Sequence, residues 1–152
     1  DGSVDPIVKN YHWGDFTKGL FEAKDAGFET VILTDADGNI TEGPGFNVFA
    51  IKHGKLLTSG HGVLSGITRR TVLEIATQLG LQVDIRPLPQ TVLLDADEVF
   101  ISSSAGGVIP IVKVNETVFA GGVCGPATQS IHQSYWDWMA APAYRTDIIY
   151  NN

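Results

Sequence analysis

Apolar side chains recur at helical spacing near the start of the chain. Trp13, Phe16, Leu20 and Ala23 fall three or four residues apart and form one stripe, which predicts a helix from Val8 to Ala26 after the Pro6 break. Gly27 is placed to stop it. The pattern then changes. Thr30 to Thr34 is a β-branched run, Asp35-Ala36-Asp37-Gly38 is turn chemistry, and Asn39 to Glu42 returns as a second hairpin arm. Phe46 to Lys52 predicts a strand, turned at His53-Gly54 into Lys55-Leu56-Leu57. Thr68 to Leu79 carries Val72, Ile75, Ala76 and Leu79 on one face and predicts a helix capped by Ser65 and ended by Gly80. Gln82 to Ile85 and Glu98 to Ser102 read as strands, and Ile109 to Phe119 as a hairpin broken at Asn115-Glu116. Pro126 opens a last helix, Ala127 to Met139, with Ile131, Tyr135, Trp136 and Trp138 as anchors. Strands outnumber helices and follow one another as hairpins. That favours an α+β fold with a mixed, mainly antiparallel, barrel-like sheet and flanking helices.

Composition narrows the function classes. The 152 residues suffice for one domain, here 1–152, and 18% charged residues argue against disorder. A net charge of −7 disfavours a nucleic-acid surface. No apolar run reaches membrane-spanning length, and residues 1–6 lack the features of a signal peptide. A single cysteine, Cys124, allows no internal disulfide and is expected to be a small packed residue. These features predict a cytoplasmic location. The four histidines lack metal-ligand spacing, and the Asp35 turn departs from a calcium loop.

Three short segments carry candidate chemistry. Lys9 sits among Ile7, Val8, Tyr11 and Trp13, an apolar setting that predicts a desolvated, nucleophilic amine. Glu42 opens Glu42-Gly43-Pro44-Gly45-Phe46-Asn47, a loop that lets backbone approach a flat ligand. Leu64-Ser65-Gly66-Ile67-Thr68-Arg69 places free N–H groups and a hydroxyl at a helix start, where an anion binds well. Arg69 and Arg70 are then expected in solvent or at a subunit contact. A fourth segment, Ser102-Ser103-Ser104-Ala105-Gly106-Gly107, is a second anion-friendly loop after an apolar strand. Taken singly, these segments read as readily as a surface lysine, a turn glutamate, an ordinary helix cap and a polar loop.

Taken in order, the set resembles the large C-terminal domain of fold-type IV pyridoxal-phosphate enzymes. That family includes branched-chain and D-amino-acid aminotransferases, aminodeoxychorismate lyases and (R)-selective amine transaminases. The forms Lys9-Asn10-x-x-Trp13-Gly14-Asp15 and Glu42-Gly43-x-Gly45-Phe46-Asn47 look most like the amine transaminases. The resemblance implies pyridoxal 5′-phosphate as cofactor, Lys9 as its Schiff-base lysine and proton shuttle, and Glu42 as partner of the pyridine nitrogen. It implies a phosphate cup from Gly66, Ile67 and Thr68, with Leu64 against the ring. Ser104 stands where the family has a phosphate-binding threonine, beside Ser103. Trp13, Gly45 and Ala105 are implied to line the substrate pocket.

The activity implied is transfer of an amino group between an amine or amino acid and a ketone or keto acid, by a homodimer. The family has a smaller N-terminal domain ahead of the lysine, and none precedes Lys9 here, so the chain is expected to be part of a longer polypeptide. A branched-chain or D-amino-acid transaminase, a lyase on the same scaffold and a non-catalytic fragment are the competing readings.

Overall fold

The computed structural model describes residue 5 and residues 8–149. Pro6 and Ile7, invoked above as a helix break and an apolar flank, lie outside the described residues. The chain runs α1 (Gly14–Asp25), β1 (Asn39–Ile40), β2 (Glu42–Gly43), β3 (Phe46–Lys52), β4 (Lys55–Thr58) and α2 (Ile67–Gln78). It continues through β5 (Gln82–Ile85), β6 (Leu88–Pro89), α3 (Gln90–Leu94), β7 (Glu98–Ser103), β8 (Gly107–Ile111), β9 (Lys113–Val114), β10 (Thr117–Val118) and α4 (Pro126–Ala140). The principal sheet has the order β5-β4-β3-β7-β8, with β2 also paired to β3. Its β4–β5 pair is parallel, with α2 as the crossover, and its other pairs are antiparallel. The α+β class therefore holds. Among the described residues the sheet stays open at β5 and β8 instead of closing as a barrel.

Strand β3 does not alternate in burial, because both sheet faces are covered. Phe46, Val48 and Ala50 join Leu57, Leu88, Leu93 and Val99 on one side. Phe49 and Ile51 meet Val72 and Ile75 of α2 and Ile131 and Tyr135 of α4 on the other. Phe49 lies directly opposite Phe100 of β7, and their rings stack with centroids 4.8 Å apart. Glu98 lies on this helix-covered face of β7, two residues from Phe100. Its carboxylate accepts the Ala127 N–H at 3.0 Å and the Thr128 N–H at 2.7 Å, so a strand residue caps α4.

Several expectations need correction. The first helix begins at Gly14, not Val8, and its stripe is half-buried rather than core, with Trp13 exposed. The buried residue is Gly19, seated on Val31 and Leu33. Thr30 to Thr34 forms a single bridge, Thr34 to Ile40, in place of a strand. Its backbone bonds run to Thr41 and Glu42, and the irregular arm pairs no further. Ser65 caps nothing, because α2 starts one residue early with Gly66 at its cap position and no side-chain bond. The segment expected as one hairpin is divided: β8 pairs with β7, and the Asn115-Glu116 turn joins β9 to β10. Neither α3 nor β6 is legible beside Pro87 and Pro89. Cys124 is exposed, not packed.

Candidate active site

Three side chains form a row across the sheet. Glu42 on β2 pairs with Asn47 on β3, and Asn47 pairs with Ser102 on β7. Directly opposed residues of antiparallel strands project to the same face, so the three sit side by side. This is the helix-covered face, beyond the stacked Phe49 and Phe100. Pro44-Gly45 makes the β2–β3 turn, with Gly45 at φ +81°, a conformation suited to glycine. The Glu42–Asn47 half of the row follows from that turn, and the Asn47–Ser102 half from the long-range pairing of β3 with β7.

A cleft of about 400 Å³ opens over the row. Lys9 and Trp13 form one rim, and Leu64, Gly66, Ile67 and Thr68 form another. Gly45 and Phe46 line it at the turn, and Ser103 and Ser104 at the end of β7. Ala105, expected in the pocket, is exposed on the following loop and does not line the cleft.

Glu42 is half-buried. Its Oε2 accepts the Leu64 N–H at 2.9 Å. Burial pushes its carboxyl above the usual value, only partly offset by the Leu64 N–H and the Lys9 charge. Both of its hydrogen-bond contacts, from Leu64 and Asn47, fall on Oε2, and Oε1 has no hydrogen-bond partner among the described residues. Asn47, buried, donates from Nδ2 to the Leu64 carbonyl at 3.0 Å, with a longer 3.5 Å contact to Glu42 Oε2.

Lys9 is exposed, as are Val8, Tyr11 and Trp13, so the expected apolar enclosure is not built by the described residues. The segment is held locally. Asn10 donates to the Val8 carbonyl at 2.8 Å, and its Oδ1 accepts the His12 N–H at 2.8 Å. Trp13 packs edge-on to Phe16, ring centroids 5.7 Å apart.

At the helix start, the N–H groups of Ile67 and Thr68 have no intrahelical acceptor by the geometry of a first turn. Thr68 is buried, whereas the Ile67 side chain is exposed. Arg69 is not solvated as expected. It folds back, half-buried, and donates to the Ser59 carbonyl at 3.0 Å. Ser103 Oγ accepts the Gly106 N–H at 3.1 Å and closes its loop, and Ser104 is exposed at the mouth. Ser102 Oγ is buried and has no hydrogen-bond partner among the described residues.

Asn47 and Ser102 are the residues that motif reading left without a role. A signal was present: each is polar at a position that strand alternation aligns with buried aromatics. The donor set as a whole fits pyridoxal phosphate. It offers an amine, an under-partnered carboxylate, a helix N-terminus for an anion and an orphan hydroxyl, all on one cleft.

Comparison with known proteins shows the family. Residues 1–114 match the family described as amino-transferase class IV. The probable branched-chain-amino-acid aminotransferase of Synechocystis sp. is 33% identical over 129 residues, covering 78% of this chain and 42% of that protein. The branched-chain-amino-acid aminotransferase of Escherichia coli K12 is 37% identical over 131 residues, again 78% of this chain and 42% of that protein. The crystal structure of the branched-chain amino acid aminotransferase from Thermobaculum terrenum, in its PLP-form, superposes with a TM-score of 0.85 at 29% identity. That match covers 89% of this chain and 45% of the other. The chain thus spans less than half the length of these curated relatives.

Proposed function

The chain belongs to the class IV amino-transferase family, and we propose that it carries the cofactor-binding part of a pyridoxal-phosphate-dependent aminotransferase. The observation that carries this reading is Glu42: a half-buried carboxylate with too few partners, in the same cleft as the Lys9 amine and the start of α2. The Thermobaculum terrenum enzyme, solved in its PLP-form, supports it.

Pyridoxal phosphate, when bound, supplies an electrophilic carbonyl and a ring that draws off electrons released at the substrate carbon. The protein's own part follows from its side chains. Lys9 Nζ would hold that carbonyl as the amine nucleophile and, as a free amine, would carry a proton from the substrate carbon. Glu42, both of whose donors fall on Oε2, would face the pyridine nitrogen and keep it protonated. A cationic partner there relieves the cost of burying the carboxylate. The N–H groups of Ile67 and Thr68 and the Thr68 hydroxyl would hold the phosphate, with Gly66 at the cap position of that helix start. Leu64 would pack on the ring, and the Ser103 and Ser104 segment would close the phosphate end. Trp13 and Gly45 face the substrate, with Ala105 on the loop beyond the mouth. A smaller N-terminal domain and a second copy of the chain complete the walls, a role the exposed Val8, Tyr11 and Trp13 rim supports.

For the donor we favour an (R)-configured amine. The Lys9-Asn10-x-x-Trp13-Gly14-Asp15 and Glu42-Gly43-x-Gly45-Phe46-Asn47 forms, which resemble those of the (R)-selective amine transaminases, support it, and Trp13 makes an aromatic wall beside Gly45 that suits an apolar substituent. The second reading is a branched-chain amino acid, favoured by the names of the matched relatives.

Borohydride reduction with pyridoxal phosphate, followed by peptide mass mapping, tests the reading. A pyridoxyl adduct confined to Lys9 supports it. No adduct, in this chain or in a longer natural form, removes it. Assays of a chiral arylalkylamine and of leucine, each with and without a keto-acid acceptor, then separate the donors. Turnover without acceptor would indicate a lyase.

A further inference from the structure

We infer that Asn47 is a positioning residue, whose carboxamide sets the spacing between Glu42 and the N-terminus of α2. This rests on the aminotransferase reading, in which those groups hold opposite ends of one ligand. Asn47 is 6% exposed, on the strand that pairs with both β2 and β7. Burying an amide there is costly unless its hydrogen bonds are made.

The bonds form a closed set. Asn47 Nδ2 donates to the Leu64 carbonyl at 3.0 Å, and the Leu64 N–H donates to Glu42 Oε2 at 2.9 Å. Leu64 is therefore gripped on both sides, by the amide and by the carboxylate. The 3.5 Å contact from Nδ2 to Glu42 Oε2 closes the triangle and is the weakest side. Asn47 Oδ1 reaches the helix cap: a Cβ on Gly66 would lie 2.7 Å from it. One side chain on a rigid central strand thus touches the carboxylate strand, the Leu64 strap and the helix start. An apolar residue would fill the volume and hold none of them.

The test uses Asn47→Asp, which keeps the shape and loses the donor, and Asn47→Ala, which loses both. Gly66→Ala is the third variant. Its backbone, φ −63° and ψ 142°, suits alanine, so its Cβ must push the Asn47 amide aside without altering Glu42 or Lys9. Circular dichroism confirms folding. Two quantities are then read in the full chain. The first is the carbon-13 NMR titration midpoint of the Glu42 carboxyl without ligand, assigned with Glu42→Gln. Lys9, the charged group acting on Glu42, is retained throughout. The second is the dissociation constant for pyridoxal 5′-phosphate.

The midpoint is expected to rise in all three variants, most in Asn47→Asp, where a like charge adds about one pH unit or more. Affinity is expected to fall about tenfold in the two Asn47 variants, while Gly66→Ala, which alters the phosphate cup itself, is judged by the Glu42 midpoint alone. A Glu42 midpoint unchanged in every folded variant would overturn the proposal. Failure of the parent chain to bind pyridoxal 5′-phosphate would instead count against the aminotransferase reading, and the ligand-free titration would still judge Asn47.

Discussion

The Leu64 backbone N–H donates to Glu42 Oε2 at 2.9 Å, although the two residues are 22 positions apart. The bond ties the strand edge to the strap that leads into α2. It holds one carboxylate oxygen, Oε2, and leaves Oε1 without a hydrogen bond among the described residues.

Glu42→Gln should stabilise the ligand-free chain at neutral pH and weaken its function. The folded carboxyl titrates above its ordinary 4.5, so the folded state favours the protonated form. Stability is then fully present below 4.5 and falls as pH rises through the folded value. Glutamine removes that loss. Thermal melts at pH 4 and pH 7 should differ less in the variant than in the parent. On the proposed function, turnover should fall by about 100-fold while cofactor binding survives.

Ser102→Ala should be neutral or mildly stabilising without ligand, because it removes a buried hydroxyl with no partner among the described residues. If the hydroxyl serves the ligand, the melting-temperature gain on adding pyridoxal phosphate should shrink. An equal gain in both proteins would leave Ser102 without a binding role.

Glu98→Ala should cost about 2 kcal/mol, since it strips the acceptor from two N–H groups at the start of α4. Urea unfolding reads it as a lower midpoint with an unchanged slope. Glu98→Gln, which keeps one acceptor oxygen, should lose less.

Asp97 gives a pH effect of the opposite sign to Glu42. The His53 N–H, donating at 2.8 Å, and then the Lys52 ammonium hold its carboxyl below the ordinary 3.8. Its contribution is present above 3.8 and lost as pH falls through the lower folded value. Asp97→Asn should therefore lower the melting temperature at pH 7 and leave it nearly unchanged at pH 2. The group is largely exposed, so the effect is small and salt-sensitive.

Local pattern made much of the fold legible. β3, β4, β5, β7, α2 and α4 match their predicted spans closely, because each has a strong period or a firm stop. The Val8 to Trp13 segment misled: the stripe of Trp13, Phe16, Leu20 and Ala23 extends a predicted helix back towards the Pro6 break, while the Asn10 side chain holds the backbone in a loop. Thr30 to Thr34 misled as well, because β-branched residues favour a strand only where a partner edge exists.

The segments holding Lys9, Glu42, Thr68 and Ser103 were visible along the chain, since each needs particular residue types in short order. The sequence alone determined those types and the family they belong to. Tertiary structure decided their arrangement. It placed Asn47 between Glu42 and Ser102, turned Arg69 inward, left Ala105 outside the cleft and exposed Lys9. The physical reason is that cross-strand register and the meeting of a strand edge with a helix start are set by long-range pairing, which no local period encodes.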